Sequence, residues 1–270
     1  AELIVLDASI PPVGGMKQPQ ACWPASIIPN ALRFDINCEF SMLDAPFPHT
    51  MPSAEQFNKA SQAMGINHDS TIVVYDCFGI FSSARAWWMF KAMGHKNVFV
   101  LDGGLPQWLN SGYKTHAHLP RDIKQGNFFG ALGHEYFCDT ANVQKQLNKE
   151  KVHILDARST ARFHGNALEP RTGLKSGHMP SAHSVPFTAL QTNGRMNSKS
   201  ELLQYLQSIL KNAHDNSSLE HKFIMTCGSG VTACVIALAA EICGIASISV
   251  YDGSWSEWGS REDLPIETTS

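Results

Sequence analysis

The chain is written twice. Ile4-Val5-Leu6-Asp7-Ala8 returns as His153-Ile154-Leu155-Asp156-Ala157, and Asp7 and Asp156 stand 149 residues apart. Ile28-Pro29-Asn30-Ala31 returns as Met179-Pro180-Ser181-Ala182, and Val73-Val74-Tyr75-Asp76 as Ile224-Met225-Thr226-Cys227, both at an offset of 151. Val98-Phe99-Val100-Leu101-Asp102-Gly103 returns as Ile248-Ser249-Val250-Tyr251-Asp252-Gly253, and Trp108 as Trp258, both at 150. Landmarks in one order at nearly one offset imply duplicated units, and 270 residues is room for two ordinary domains. The expected division is a first domain at 1–115, a Pro/Gly-containing linker at 116–136 and a second domain at 137–270.

Each unit alternates short apolar runs with helical patterns. Thr71–Tyr75, Val98–Leu101, Val152–Leu155, Lys222–Thr226 and Ser247–Tyr251 read as buried parallel strands. Ser82–Met93 and Thr232–Cys243 are almost wholly apolar and read as helices of a buried layer between sheet and partner domain. Ser53–Met64 and Ser200–Leu210 are amphipathic and read as outer cover, with Ser53 and Gln56 resembling a capping box. Alternation of this kind means an α/β fold with a mainly parallel sheet in each domain, and such sheets bind ligands beyond the carboxyl ends of their strands.

Composition removes several classes of function. Lys plus Arg number 21 against 24 Asp plus Glu, a net charge of −3, so no basic field for nucleic acid or anionic lipid exists. No apolar run approaches the roughly 18 residues of a membrane helix. The opening Ala1-Glu2-Leu3-Ile4-Val5 shows no basic stretch before an apolar one, so no signal peptide is read there. The seven cysteines (Cys22, Cys38, Cys77, Cys138, Cys227, Cys234, Cys243) are odd in number, scattered and without CxxC spacing. They therefore suggest neither a secreted disulfide framework nor a zinc site. Most read as small buried hydrophobes. A cytoplasmic protein is expected, with no metal and no organic cofactor.

Cys227 asks for a different account. In Phe223-Ile224-Met225-Thr226-Cys227-Gly228-Ser229-Gly230-Val231-Thr232-Ala233 a strand ends, one Cys follows, then small residues, then a helix. Such a turn aims consecutive backbone N–H groups inward as an anion cradle with the helix dipole behind it. A Cys there is expected to have a lowered pKa and react as thiolate. Gly228 and Gly230 are expected to supply positive φ angles. A buried structural Cys is the competing reading, and it is the better one for Cys234 and Cys243, which lie inside the helix. At the same place the first unit reads Tyr75-Asp76-Cys77-Phe78-Gly79-Ile80-Phe81-Ser82: Asp76 replaces the Cys, and Cys77 sits one residue late. One active and one inactive unit are expected.

The loop Cys-Gly-Ser-Gly-Val-Thr at 227–232, together with Asp102–Trp108, Ser176–Ala182 and Asp252–Gly259, resembles the tandem rhodanese-like sulfurtransferases over nearly the whole chain. Within that family it is similar to the 3-mercaptopyruvate sulfurtransferases, because Gly228 and Ser229 stand where thiosulfate-specific members carry basic residues. The resemblance implies two tandem rhodanese-like α/β domains and a persulfide on Cys227. Gly228, Gly230, Val231 and Thr232 would line the sulfur site. Arg162 and Arg171, nine residues apart, would bind the carboxylate and ketone of the donor. Two solvated surface arginines is the alternative. The resemblance further implies a relay of Ser229, His49 and an acid, but the family's acidic position is Asn37 in Phe34-Asp35-Ile36-Asn37. Asn orients an imidazole without stabilising its cation as a carboxylate does, and Asp35 is the candidate substitute.

His178 reads as a structural turn residue, and Trp255, Glu257 and Trp258 as either a wall of the site or core. The expected partners are a small-molecule sulfur donor and a thiol acceptor such as thioredoxin, with no nucleic acid and no membrane. Competing functions are a thiosulfate sulfurtransferase and a non-enzymatic rhodanese-like interaction module. A Cys-based phosphatase of similar fold needs an Arg six residues after the Cys, and Ala233 stands there.

Overall fold

The repeat is realised as two α/β units. The computed structural model describes residues 2–11, 13, 16–119, 122–210 and 221–269. Unit 1 comprises Ala1–Gly133 with Asn193–Arg195, and unit 2 comprises His134–Thr192 with Met196–Ser270.

In unit 1 the strands β1 (Leu3–Asp7), β2 (Leu32–Arg33), β3 (Thr71–Tyr75) and β4 (Val98–Val100) form a parallel sheet in the order β2-β1-β3-β4. Its helices are α1 (Ala54–Ala63), α2 (Ser83–Ala92) and α3 (Gly104–Asn110). In unit 2, β5 (Phe137–Cys138), β6 (Val152–Asp156), β7 (Ala182–Ser184), β10 (Lys222–Thr226) and β11 (Ile248–Tyr251) form a parallel sheet in the order β5-β11-β10-β6-β7. A two-stranded ribbon pairs β8 (Gln191–Thr192) with β9 (Arg195–Met196). The helices of this half are α4 (Thr140–Gln146), α5 (Thr160–Phe163), α6 (Lys199–Ile209), α7 (Ala233–Cys243) and α8 (Ser254–Trp258).

The register shows the duplication residue by residue. Asp7 lies beside Tyr75 where β1 meets β3, and Asp156 lies beside Thr226 where β6 meets β10. Asp76 and Cys227 therefore each follow the last residue of the strand beside that Asp. Helix α2 buries nine of its ten residues, which is why its sequence lacks a polar face. Helix α6 buries only the stripe Leu202 and Leu206, as its amphipathic pattern requires.

Three expectations need correction, and one open choice is decided. The stretch up to Gly133 is not a linker: Asn58 exchanges hydrogen bonds with both backbone groups of Gly130 (3.0 and 2.8 Å), Gln62 Nε2 donates to Phe128 O (2.8 Å), and the Phe128 ring is buried. These bonds bind it to α1, so the division falls between Gly133 and His134. The Ser53/Gln56 capping box is half made. Ser53 Oγ accepts from Gln56 N (3.2 Å), but the Gln56 side chain donates to Glu39 O and Ser41 O (3.0 and 2.8 Å). The reciprocal box belongs to Ser198 and Glu201, at the start of α6. Cys22 and Cys77 are joined as a disulfide with their Cα atoms 5.4 Å apart, so neither is a plain buried hydrophobe. Trp255 and Trp258 are fully buried in the unit 2 core with Ile154, Met179 and Tyr251, which makes them core and not wall.

Three histidines sit together at one end of the unit 2 sheet. His153 Nε2 and His221 Nδ1 are 2.8 Å apart, and the His183 ring centroid lies 6.2 Å from that of His153. Burial, and then repulsion from His221 and His183, push His153 down to about 4 from an ordinary 6.5. A group whose folded value is depressed in this way keeps the fold stable while it is neutral. Its contribution is whole above 6.5 and lost as pH falls through about 4. Unfolding in urea at pH 7 and pH 4 is expected to show about 2–3 kcal/mol of acid destabilisation from this site. His153→Leu is expected to remove most of that difference; an unchanged difference would place the acid lability elsewhere.

Candidate functional site

The two loops that follow β3 and β10 can be compared directly. In unit 1 the carboxylate of Asp76 is surrounded by donors. Its Oδ1 accepts from Phe78 N (2.9 Å), and its Oδ2 accepts from Phe81 N (2.7 Å), Ser83 N (2.8 Å) and Ser83 Oγ (2.6 Å). The turn is an anion cradle filled by the chain's own anion. Cys77 is tied into the disulfide and its N–H bonds Ser9 Oγ (3.0 Å).

In unit 2 the same position is Cys227, a buried free thiol. The loop is held from below by the first turn of α8. Trp255 N donates to Cys227 O (3.0 Å), and Ser256 N and Oγ donate to Gly228 O (2.9 and 2.7 Å). Ser254 Oγ accepts from Cys227 N at 3.4 Å. Ser254 and Ser256 did not stand out in the sequence, because one turn of helix with two serines carries no periodic signal.

Only one of the two loop glycines is there for its backbone. Gly230 has φ +74°, in the left-handed region, whereas Gly228 is not among the positive-φ residues. Gly228 instead leaves room for neighbouring side chains. A Cβ on it would lie 3.2 Å from Arg162 Nη2 and 3.6 Å from Arg171 Nη1. Both arginines therefore converge on the residue after the thiol, and they are not a pair of scattered surface cations. Arg171 Nη2 also reaches Ser229 Oγ at 3.4 Å. Burial lowers the pKa of Arg171, and the neighbouring Cys227 pulls it back up. Val231 is buried, and Thr232 leads into α7, whose Val235 N bonds Thr232 O (3.0 Å).

A set of ionic partners missed in the sequence reading fixes this end of the site. The buried Arg158 binds Asp156 through Nε (3.1 and 3.0 Å) and Nη2 (2.6 Å), donates to Gly177 O (2.8 Å), and lies over the Trp255 ring at 4.0 Å. Its Nη1 meets Glu169 Oε1 at 2.9 Å. Glu169 in turn accepts from Arg162 Nε (3.1 Å) and Nη2 (2.5 Å). The available signal was an acid lying between two arginines, in R-F-H-G-N-A-L-E-P-R.

His49 and Asn37 belong to unit 1, where they do meet. His49 Nε2 donates to Asn37 Oδ1 at 2.8 Å. Asp35 is placed differently: its Oδ1 accepts from Asn37 N (2.9 Å), and its Oδ2 faces Arg33 Nε at 4.0 Å. The turn at Ile36 and Asn37 thus puts Asn37, and not Asp35, against the imidazole. His49 has φ +63°, uncommon for a residue with a side chain, and its carbonyl accepts from Nη2 of the buried Arg85 at 2.7 Å. A left-handed residue fastened by a buried guanidinium is a fixed one. His178 is structural: its ring stacks on Phe163 at 3.9 Å and Nδ1 bonds Phe163 O (2.9 Å).

Comparison with known proteins agrees with the duplicated architecture. A 3-mercaptopyruvate sulfurtransferase of Escherichia coli strain K12 is 37% identical over 242 residues, covering 89% of this chain and 83% of its own. Thiosulfate/3-mercaptopyruvate sulfurtransferase 1 of Arabidopsis thaliana, described as mitochondrial, is 35% identical over 287 residues, covering 99% of this chain and 74% of its own. The crystal structure of SseA from Escherichia coli, described with the rhodanese fold and the catalytic mechanism of 3-mercaptopyruvate sulfotransferases, superposes with a TM-score of 0.80 at 31% identity, covering 94% of this chain and 92% of that one. The rhodanese-like domain matches at residues 5–111 and again at 139–261, one copy in each unit, and the chain belongs to that family.

Proposed function

We propose that the protein is a sulfurtransferase that takes sulfur from 3-mercaptopyruvate through a persulfide on Cys227. The observation that carries this reading is the convergence of Arg162 and Arg171 on Gly228, directly after the thiol. Two forked donors suit a carboxylate with an adjacent ketone. The Cys227 thiolate attacks the donor sulfur and an S–S bond forms. The C–S bond breaks, its electron pair passes to carbon as the enolate of pyruvate, and a proton then adds to that carbon. N–H groups of the loop from Gly228 to Thr232 hold the anionic sulfur, as their unit 1 counterparts hold the Asp76 carboxylate. The second half-reaction is attack by an acceptor thiolate on the outer sulfur, which returns Cys227. Thioredoxin, or a small thiol, is the acceptor class we assign. No step calls for an organic cofactor or a metal.

Unit 1 is the inactive partner, with Asp76 at the nucleophile's position; within it His49 is oriented by Asn37. Ser229 and His49 handle protons. If they do, Asn37→Asp moves the pH dependence of kcat to higher pH, because a carboxylate favours the imidazolium. His49→Ala lowers kcat more than it raises KM. Asp35→Ala, which removes the contact to the Asn37 backbone, serves as the structural control. Unchanged pH–rate profiles in both Asn37→Asp and His49→Ala would remove the relay from the mechanism.

Thiosulfate sulfurtransferase is the second reading, and the thiosulfate named in the Arabidopsis relative's description favours testing it. Steady-state comparison of 3-mercaptopyruvate with thiosulfate decides between them, with the higher kcat/KM expected for 3-mercaptopyruvate. We assign the reaction to the cytoplasm, where reduced acceptor thiols are abundant. Among the described residues no helix is long and apolar enough to cross a membrane. Fractionation of the source cells tests the assignment, since the Arabidopsis relative is described as mitochondrial.

A further inference from the structure

We propose that Glu169 is a positioning and specificity-determining residue: it fixes which edge of Arg162 meets the donor, and it sets the charge of the site to suit a monoanion. The inference rests on the sulfurtransferase reading above and deepens it.

The first part follows from the hydrogen bonds. Glu169 takes the Nε and Nη2 edge of Arg162 with both carboxylate oxygens, and Oε1 is shared with Arg158 Nη1. The Glu169 side chain is 1% exposed, whereas that of Arg162 is 23% exposed, so the carboxylate is the fixed partner and the guanidinium the presented one. Arg162 therefore offers a donor through Nη1 and the second N–H of Nη2, the atom that lies beside Gly228. A carboxylate bound at its Nε edge would first have to displace Glu169. Holding a long side chain in one rotamer before binding removes an ordering cost from the binding step.

The second part follows from charge. Asp156, Arg158, Glu169 and Arg162 are joined in a chain of ion pairs, and Arg171 adds a third guanidinium. Three guanidinium groups against two carboxylates leave one net positive charge, before the thiolate is counted. With the attacking Cys227 thiolate counted the site is neutral, so the second negative charge of thiosulfate is disfavoured relative to the single carboxylate of 3-mercaptopyruvate. Without Glu169 the site would keep one positive charge, and the penalty on the dianion would fall.

The repeat supports a functional origin for this network. Unit 1 makes the same turn after β1: Ser9 N donates to Asp7 Oδ1 at 2.9 Å, as Arg158 N does to Asp156 Oδ1 at 2.9 Å. Yet the residue there is Ser9, not Arg. The fold needs the Asp turn in both units, and the arginine that anchors Glu169 occurs in the unit that holds Cys227.

The test compares Glu169→Gln, which removes the charge, with Glu169→Asp, which keeps it and shortens the reach. For each, kcat/KM with 3-mercaptopyruvate and with thiosulfate is measured, alongside calorimetric Kd values for pyruvate and for inorganic sulfate as non-reacting monoanion and dianion. Glu169→Gln is expected to raise the thiosulfate-to-3-mercaptopyruvate ratio of kcat/KM about tenfold and to lower the sulfate-to-pyruvate Kd ratio, both changes favouring the dianion. Glu169→Asp is expected to weaken both donors while leaving both ratios near the parent values. Equal loss for both donors and both anions in Glu169→Gln, or the same ratio change in Glu169→Asp, would overturn the proposal. If the parent protein turned over neither donor, the sulfurtransferase reading would fall. The Kd ratios would then decide the charge assignment alone.

Discussion

Replacing Cys227 by Ser is expected to lower sulfur transfer by on the order of a thousandfold or more while leaving the unfolding transition in place. A hydroxyl is a far weaker nucleophile than a thiolate, and no neighbouring group in unit 2 takes over its role. The side chain is buried and nearly isosteric with Ser, so the core should barely respond. Mass spectrometry of the parent protein after donor, without acceptor, should find one added sulfur on the peptide containing Cys227. Sulfur on Cys77 instead would reverse the roles of the two units. The structure argues against that result, because Cys77 is paired with Cys22 and the adjoining cradle is filled by the Asp76 carboxylate.

The second large effect is expected from Gly228→Arg, alone or with Ser229→Lys. From the loop sequence, added basic residues would be read as a simple shift of preference toward thiosulfate. The geometry changes that expectation. Even the Cβ would press on Arg162 at 3.2 Å, and the rest of an arginine side chain would compete with the two guanidinium groups for the same space and repel them. Displacement of substrate-positioning groups by about 1 Å costs on the order of a hundredfold. We therefore expect kcat/KM for 3-mercaptopyruvate to fall about a hundredfold. Any gain in relative preference for thiosulfate would then arise mainly from that loss. Gly228→Ala should show a milder rise in KM, since 3.2 Å is a contact that a flexible guanidinium can relieve. Full activity with 3-mercaptopyruvate in Gly228→Arg would mean that neither arginine binds the donor.

Much of the molecule was legible in its sequence. The duplication, the parallel strands that carry the loops, and the exchange of Cys227 for Asp76 are all local or periodic features, and repetition at a constant offset doubles their signal. Thr71–Tyr75 and Lys222–Thr226 have the expected ends because each is centred on an unbroken apolar run, Ile72–Val74 and Phe223–Met225, bounded by a change of chemistry. Arg162, Arg171 and Ser229 were reached through motif resemblance. Short strands such as Leu32–Arg33, Phe137–Cys138 and Ala182–Ser184 were not, because two or three residues hold no period to read.

What tertiary structure alone decided are pairings between residues far apart in the chain, or between near ones whose direction depends on a turn. Cys22 finds Cys77 across 55 residues of sequence, and Asn58 finds Gly130 across 72. Asn37, and not Asp35, faces His49 because the turn directs one side chain to the imidazole and the other to its own backbone. Gly228 looked like a hinge in the sequence and is a clearance, a distinction that exists only once two arginines lie beside it. Glu169 was not singled out in the sequence. Burial between two guanidinium groups makes it the fixed point of the site, because a carboxylate removed from water must have its partners in place.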